Sequence, residues 1–499
     1  MVSPAPESGK PAAPHAASRQ RQAGLWSGIA LFVALLVLPT LPAFNPAAQR
    51  TAGIALLMAI WWMTEALPLP VTALVPLVLF PLVGVLAPTA AAAPYANPVI
   101  FLFLGGFVLA LSMERWGLHR RIALTIVGVA GARPASLVLG FMVATAFLSM
   151  WISNTATTAM MAPIGIAIAE LLRPDDGGSD YRFGTALLLG IAYAASIGGV
   201  GTLIGTPPNA VFAGAAQEIL GRQVGFAEWM LVAMPLVIVM LPLTWALLVF
   251  VFFPPGPLSG GADVLLARER SQLAAMNRGE RLTLIVFVAM ALAWVFRESK
   301  PLGPVTIPGL EAIAPGIDDS TIAITGVILL FLLPVDARRG EFVMSWEKTR
   351  DLPWGVLLLF GGGLSLARGF EESGLTLLIG EAVAGFGGVP GWMLLAIVAI
   401  TFILLSELAS NTAIAAMAMP VIAAAAIGLG QSPLVFMATA ALAASQAFML
   451  PVATPPNAIV FGTGYIEMRQ MMRAGIGLNL LAIVLVTIVA LLLAGPILG

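Results

Sequence analysis

Long apolar segments, separated by short polar ones, follow one another along almost the whole chain. Most of them approach the roughly 20 residues that a helix needs to cross a bilayer. The pattern predicts membrane-spanning helices near residues 25–43, 51–66, 69–87, 98–112, 184–220, 228–253, 281–297, 320–335, 352–367, 433–465 and 474–496.

Two further apolar segments, 135–172 and 390–427, are too long for a single span. Each carries a Ser-Asn-Thr triplet near its middle, at 153–155 and at 410–412. Ser, Asn and Thr are good helix N-caps, so a triplet of this kind between two apolar helices is typical of a turn. We therefore expect two re-entrant hairpins whose tips lie inside the membrane.

The polar segments outside these helices have three predicted roles. Residues 1–24 are rich in Ala, Pro and Gln, which predicts a disordered N-terminal tail. The charged, Pro- and Gly-rich stretch 254–280 predicts a cytoplasmic loop. Residues 113–127 and 370–384 mix charged and apolar positions, as helices that lie along a membrane surface do.

The second half of the chain repeats the signals of the first half. The pairs Gly105-Gly106 and Gly362-Gly363 lie 257 residues apart, as do the two Ser-Asn-Thr triplets. The segments GTPPN at 205–209 and ATPPN at 453–457 lie 248 residues apart. Five predicted spans separate equivalent points, so the halves insert with opposite orientation. Such inverted repeats are typical of secondary transporters.

The distribution of positive charge predicts the orientation in the membrane. With a cytoplasmic N-terminus and two re-entrant hairpins, nineteen of the 24 Lys and Arg residues fall on the cytoplasmic side. That bias follows the positive-inside rule. It predicts eleven full crossings and a C-terminus outside the cell.

The composition supports an all-α polytopic membrane protein and excludes several functions. The chain is 59% hydrophobic and 10% charged, with a net charge of −1 and no cysteine. This charge balance argues against binding nucleic acid, and thiol chemistry is excluded. An intramembrane hydrolase needs a nucleophile with a base or a carboxylate pair. We expect no enzyme, because the chain has no Cys and its apolar segments carry neither a His nor a pair of Asp residues. A channel is disfavoured because the sequence shows neither a carbonyl ring nor a charged ring.

The triplets and the TPPN segments carry the candidate chemistry. A helix that begins at a triplet presents its positive end to the tip, where it attracts a carboxylate or a sulfate. The prolines of each TPPN segment remove N–H groups and predict free carbonyls at Gly205, Thr206, Ala453 and Thr454, which suit a small hard cation. No Lys or Arg lies near either triplet, so bound cations would offset the charge of an anionic substrate. Glu65 and Glu407 are intramembrane carboxylates: we expect an interface role for the first, and bracing of the second tip for the second.

The stretches SMWISNTATTAMMAPI at 149–164 and SELASNTAIAAMAMP at 406–420, with GTPPN and ATPPN, resemble the divalent-anion:sodium symporter family. The resemblance covers residues 25–496. It implies a homodimer that works as an elevator, in which a transport domain slides against a fixed scaffold. The scaffold would comprise 25–127 and 281–384, and the transport domain 128–253 and 385–499.

The resemblance also implies the site residues. The first sodium site would use Ser149, Ser153, Asn154 and Gly205, and the second would use Ser406, Ala409, Asn411 and Ala453. The substrate would contact Asn154, Thr155, Thr206, Ser410, Asn411, Thr412, Thr454 and Pro455.

The resulting hypothesis is a sodium-coupled symporter for C4 dicarboxylates such as succinate, fumarate and malate, in the inner membrane of a bacterium. Sodium would be the coupling ion, and the partners would be a small dianion, the lipid bilayer and a second copy of the chain. The alternatives are a symporter for sulfate or another divalent anion, and a sodium-independent dicarboxylate exchanger.

Overall fold

The computed structural model describes residues 14–131, 133–173, 181–256, 271, 273–302, 305–386 and 388–499. Helices dominate both halves. The helices of the first half are α1 Pro14–Val37, α2 Pro46–Thr64, α3 Leu69–Thr72, α4 Val75–Leu82, α5 Pro88–Ala92, α6 Pro98–Arg115, α7 Leu118–Ala130, α8 Pro134–Ser149, α9 Asn154–Leu171, α10 Arg182–Gly199, α11 Pro207–Leu220 and α12 Phe226–Ala246.

The second half repeats the larger elements of this order. Its helices are α13 Arg278–Val295, α14 Asp319–Leu332, α15 Trp354–Glu372, α16 Leu375–Val383, α17 Gly391–Leu408, α18 Asn411–Gly428, α19 Pro433–Ala444, α20 Pro455–Phe461, α21 Met468–Val489 and α22 Gly495–Leu498. Short π-helical segments, Leu247–Phe252 and Ala490–Ala494, continue α12 and α21.

Two details differ from the sequence prediction. Helix α1 begins at Pro14, so the part of the predicted disordered tail from 14 to 24 is helical, while residues 1–13 lie outside the described residues. Two small antiparallel β-hairpins, absent from the all-α prediction, pair β1 Lys300–Leu302 with β2 Val305–Ile307 and β3 Pro334–Asp336 with β4 Glu341–Phe342. Most of the predicted loop 254–280 lies outside the described residues.

Several helices are suited to a membrane. By length and composition, six segments within the described ranges could cross a bilayer: Arg19–Val37, Pro88–Arg115, Phe226–Phe252, Gly391–Leu408, Asn411–Gly428 and Met468–Leu498. Four shorter apolar helices accompany them. The chain is therefore a multi-pass membrane protein, while the count of eleven crossings stays a prediction.

The repeat is visible in backbone geometry. Gly117 and Gly374, 257 residues apart, precede α7 and α16 with φ angles of 73° and 76°. Glycine adopts this left-handed conformation without a steric penalty from Cβ. The same sharp turn therefore leads into the two helices that were predicted to lie along the membrane surface.

Glycines of both pairs allow close helix packing. A Cβ on Gly105 would lie 2.6 Å from the Cβ of Ala323 in α14, and one on Gly106 would lie 3.1 Å from Ile204. In the second half, a Cβ on Gly363 would lie 2.8 Å from Ala416 of α18. Any larger residue at these positions would push neighbouring helices apart.

Candidate functional site

Each predicted hairpin consists of two helices that meet at its Ser-Asn-Thr triplet. Ser153 is the N-cap of α9, and its Oγ accepts a hydrogen bond from Ala156 N at 3.3 Å. Ser410 caps α18 in the same way, with Ala413 N at 3.5 Å. A Ser cap satisfies one of the first N–H groups. The positive end of each helix therefore lies at the tip.

The two TPPN segments also begin helices, with Thr206 and Thr454 as N-caps of α11 and α20. The prolines occupy the first helical positions, where an N–H group has no intrahelical partner. The sequence interpretation of four free carbonyls needs correction here. Thr206 O accepts from Asn209 N at 3.2 Å and Thr454 O accepts from Ala458 N at 3.1 Å, so both carbonyls start the helical hydrogen bonds. The carbonyl oxygens of Gly205 and Ala453 remain as candidate ligands for a cation.

A buried asparagine holds the non-helical loop before each TPPN helix. We call residues 200–206 the first break loop and residues 445–454 the second. Asn209 Nδ2 lies 3.4 Å from Gly199 O and 2.7 Å from Thr202 O. Asn457 Nδ2 repeats this, at 3.2 Å from Ala447 O and 3.0 Å from Leu450 O.

The acceptors of these bonds obey the same offset of 248 residues as the asparagines themselves. Two of the hydrogen bonds that hold each break loop therefore follow the repeat. Sequence reasoning missed the role of Asn209 and Asn457, although the repeated last letter of TPPN marked both positions.

The first half-site comprises Ser149, Ser153, Asn154 and Gly205. Ser149 Oγ lies 2.6 Å from Asn154 Oδ1 and 2.7 Å from Ala195 O. A Cβ on Gly205 would lie 2.9 Å from Ser149 O. The structure thus brings Ser149, Asn154 and Gly205 together, while the Ser153 side chain serves as the cap described above.

The oxygen atoms of this half-site suit a cation. The single hydroxyl hydrogen of Ser149 can serve only one of its two neighbouring acceptors. Gly199 O also borders this space, because a Cβ on Gly205 would overlap it. Neutral hydroxyl, amide and carbonyl oxygens are the ligands that hard cations prefer.

The second half-site comprises Ser406, Ala409, Asn411 and Ala453. Ser406 Oγ and Asn411 Oδ1 are buried and have no hydrogen-bond partner among the described residues. The N–H groups of Ala409 and Ala453 bond to Leu405 O and Leu450 O, so these alanines offer only their carbonyl oxygens. The two orphaned side-chain oxygens fit the acceptor-only chemistry of a cation site.

Glu407 braces the second break loop. Its carboxylate is 3% exposed and accepts from Phe448 N at 2.8 Å, Met449 N at 2.9 Å and Leu450 N at 3.0 Å. Asn479 Nδ2 adds a fourth donor at 2.8 Å. The sequence hypothesis placed this brace on the hairpin tip; the carboxylate instead binds the loop that packs beside the tip.

Several predicted substrate residues lie on helices that pack against a helix of the opposite half. The first TPPN helix α11 packs on α18 of the second hairpin, and the second TPPN helix α20 packs on α9 of the first. Thr206 and Thr454 are buried at the start of these helices, whereas Thr155 and Pro455 are exposed. Direct contact between the two tips stays a prediction.

Glu65 lies at the end of α2 and takes no part in this site. It has a φ angle of 47° as the C-cap residue, and its carboxylate lies 3.3 Å from Arg21. Both side chains are more than half exposed. A surface ion pair of this kind contributes about 0–1 kcal/mol.

Comparison with known proteins decides the family. The family described as the sodium:sulfate symporter transmembrane region matches residues 19–498. The chain is 42% identical over 484 residues to the sodium-dependent dicarboxylate transporter SdcS of Staphylococcus saprophyticus, covering 95% of this chain and 92% of that protein. The chain belongs to the divalent-anion:sodium symporter family.

Other relatives of this symporter support the same assignment. SdcS of Staphylococcus aureus is 41% identical over 477 residues, covering 93% of this chain and 90% of that protein. The crystal structure of the Alcanivorax borkumensis YdaH transporter matches with a TM-score of 0.56 and 16% identity, covering 95% of this chain and 97% of that one. The latter likeness concerns the fold alone. Membership of the family makes the chain a membrane transporter and not an enzyme.

Proposed function

We propose that this protein is a sodium-coupled symporter that imports C4 dicarboxylates such as succinate, fumarate and malate. The observation that carries the proposal is the duplicated half-site, in which each break helix packs on the hairpin of the other half. The relatives that are 41–42% identical are named sodium-dependent dicarboxylate transporters. A substrate with two carboxylates matches a site with two positive helix ends.

Sodium would bind first and complete the site. Ser149, Asn154 and Gly205 would hold one ion, with Ser153 nearby. Ser406, Ala409, Asn411 and Ala453 would hold the other. Both ions would offset the two negative charges of the substrate, which neither tip can neutralise with Lys or Arg. The substrate would then lie among Asn154, Thr155, Thr206, Ser410, Asn411, Thr412, Thr454 and Pro455.

The transport step would be an elevator movement in a homodimer. The segments 128–253 and 385–499 would slide against a scaffold of 25–127 and 281–384, with α7 and α16 as connecting arms. The contact between Gly363 and Ala416 supports this division, because two small residues meet at the boundary between the two parts there. We place the N-terminus in the cytoplasm and the C-terminus outside a bacterial inner membrane.

Cavities and an ion pair lie along the boundary between the two parts and support alternating access. A cavity of about 240 Å³ separates Glu114 and His119 from Ile152 and Thr157 of the first hairpin. Elsewhere, Arg368 of α15 lies 3.3 Å from Glu218 of α11, and this ion pair crosses the boundary beside a second cavity of about 400 Å³. An elevator movement of one part against the other would have to break this ion pair and reshape both cavities.

The experiment is uptake of labelled succinate into proteoliposomes that hold the purified protein. Uptake should require an inward sodium gradient and should fail when potassium replaces sodium. Uptake that ignores sodium but is driven by succinate inside the vesicles would make the protein an exchanger. Competition by sulfate stronger than by fumarate would favour a sulfate symporter, the function that the family description suggests.

A further inference from the structure

Gly199 lies directly against the amide of Asn154, a residue of the first half-site. It is the last residue of α10 and is buried. A Cβ on Gly199 would overlap Asn154 Oδ1 and would lie 3.0 Å from Nδ2 and 3.1 Å from Cγ. The three atoms nearest to such a Cβ therefore all belong to one amide group. The Asn154 amide occupies the space that a side chain at position 199 would fill.

The same oxygen of Asn154 is part of the predicted cation site. Asn154 Oδ1 lies 2.6 Å from Ser149 Oγ. The backbone also approaches closely here, because a Cβ on Gly205 would overlap Gly199 O and would lie 2.9 Å from Ser149 O. Binding groups need to be held within about 0.5 Å of their productive positions. A methyl group at position 199 would displace the Asn154 amide from Ser149 and disturb this geometry.

The second half-site has alanines at the equivalent positions. The carbonyls of Gly199 and Ala447 accept hydrogen bonds from the matched asparagines of the two TPPN segments, at 3.4 Å and 3.2 Å, so these two residues are counterparts. Ala453 precedes the second TPPN segment as Gly205 precedes the first, and both pairs lie 248 residues apart. A Cβ is therefore present at both positions of the second half and absent from both positions of the first.

This difference accompanies a difference in hydrogen bonding. The close approach of the first half-site requires that residues 199 and 205 lack a Cβ, so the second half-site cannot repeat it with the same backbone. Ser406 Oγ and Asn411 Oδ1 indeed have no hydrogen-bond partner among the described residues, each other included. Their counterparts Ser149 and Asn154 lie within hydrogen-bond distance. The contact between serine and asparagine is found where glycine leaves room for the amide.

We propose that Gly199 is a positioning residue of the first cation site, whose missing side chain lets the Asn154 amide lie beside Ser149 and thereby sets the sodium affinity of that site. This inference rests on the proposed sodium-coupled function. Gly199 acts through Asn154 and needs no contact of its own with the ion. The second half-site has no such residue, because its counterpart is Ala447.

The test is a sodium titration of labelled succinate uptake in proteoliposomes with the wild type and Gly199→Ala. The variant should raise the sodium concentration for half-maximal uptake about tenfold or more, the effect of displacing one good ligand of a charged group. A second titration follows the melting temperature of the purified protein against sodium without substrate. A bound ion stabilises the folded state, so Gly199→Ala should need more sodium for the same rise in melting temperature.

Gly165→Ala is the matched control for overpacking. Gly165 is a buried glycine of α9, eleven residues and about 16 Å along the helix from Asn154. A Cβ there would lie 2.7 Å from Ile191 Cδ1, the end of a flexible side chain. This variant should lower the melting temperature and leave both sodium titrations unchanged. An equal rise in the sodium requirement of Gly165→Ala and Gly199→Ala would overturn the inference.

A double-mutant cycle shows whether the methyl group acts through Asn154. Asn154→Ala removes the amide, so Gly199→Ala should lower the melting temperature in the wild-type background and have little effect in the Asn154→Ala background. If Gly199→Ala alone does not fold, folding of the double variant supports the same contact, and failure of the double variant to fold contradicts it.

Two other results would also contradict the role of Gly199. One is an equal loss of melting temperature in both backgrounds, and the other is an unchanged sodium titration of folded Gly199→Ala. A wild type whose uptake does not depend on sodium would overturn the proposed function instead.

Discussion

The two half-sites repeat the same cap and break residues and differ in how their side chains are satisfied. In the first, Ser149 Oγ lies within hydrogen-bond distance of Asn154 Oδ1 and Ala195 O. In the second, the equivalent atoms, Ser406 Oγ and Asn411 Oδ1, have no partner among the described residues. The asparagines of both TPPN segments hold the break loops in the same way. A duplicated fold can therefore carry two sites that are not chemically equivalent.

The braces of the two break loops differ in charge. Trp229 Nε1 donates to Val200 O at 2.9 Å, and Thr202 Oγ1 donates to Met150 O at 2.5 Å, so the first loop is held by neutral groups. The second loop is held by the carboxylate of Glu407. Met150 occupies the position that corresponds to Glu407 at the offset of 257. The second half-site therefore has a buried negative charge where the first has a thioether.

The largest loss of sodium-driven uptake is expected from Asn154→Ala and Asn411→Ala. Each change removes an amide oxygen from a cation site, and losing a hydrogen bond or contact to a charged group costs about 1.5–3 kcal/mol. Uptake at fixed sodium should fall roughly 10- to 100-fold, with a higher sodium requirement. Asn154→Ala also leaves Ser149 Oγ with one acceptor fewer. Normal sodium-driven uptake by both variants would refute the site assignment.

Glu407→Ala tests the charged brace. It leaves the backbone N–H groups of Phe448, Met449 and Leu450 without an acceptor, and since a buried unsatisfied group such as that of Phe448 costs about 1–3 kcal/mol, the free energy of unfolding should fall by about 1–3 kcal/mol or more. Thermal unfolding of the detergent-solubilised protein measures the loss. Met150→Leu, a volume-conserving change at the matched position of the first half, is the control and should cost less than about 1.5 kcal/mol. Equal melting temperatures for Glu407→Ala and the wild type would show that the carboxylate does not hold the loop.

Trp229→Phe and Asn479→Leu compare single bonds in the two braces. Trp229→Phe removes the donor to the neutral carbonyl of Val200, and Asn479→Leu removes a donor to the carboxylate of Glu407. The loss in the free energy of unfolding is about 0.5–1.5 kcal/mol for a bond to a neutral acceptor and about 1.5–3 kcal/mol for a bond to a charged one. Asn479→Leu should therefore lower the melting temperature more than Trp229→Phe does. The opposite order would mean that the indole of Trp229, which is also fully buried, contributes mainly through packing.

The smallest effect is expected from Ser153→Ala and Ser410→Ala. Loss of an N-cap costs about 0.5–2 kcal/mol, and the long cap distances of 3.3 Å and 3.5 Å favour the lower end. Both variants should fold, and uptake measured at saturating sodium should fall only a few-fold. Asn277→Ala, which removes the cap of α13 far from the tips, is the control that should leave uptake unchanged. A complete loss of uptake in only one of the two serine variants would identify that hydroxyl as a direct ligand.

The sequence was sufficient for the repeat, the two broken helix pairs and the boundaries of most helices. These features are local, since they depend on apolar length, on cap residues and on prolines. The helical start at Pro14 was missed because composition alone suggested disorder, and the two β-hairpins were missed because each strand has only two or three residues.

The parts of the site that the sequence did not predict are long-range contacts. Nothing in the neighbourhood of Glu407 indicates that the backbone N–H donors to its carboxylate lie 41–43 residues further along the chain. The carbonyls of Thr206 and Thr454 looked free because the prolines remove nearby donors, but the backbone N–H groups of Asn209 and Ala458 reach them. The crossing of α11 and α20 between the halves depends on tertiary packing, which the periodicity of a single helix does not encode.

The packing of each TPPN helix on the hairpin of the other half has a consequence for biosynthesis. The first hairpin obtains its neighbour α20 only when residues 455–461 have left the ribosome, and the first TPPN helix α11 must wait for residues 411–428. A nascent chain that ends at residue 253 would hold the polar tip and the break loop of its first half without the surfaces that cover them. We expect such a fragment to be retained by membrane quality control, so that the site matures only at the end of translation.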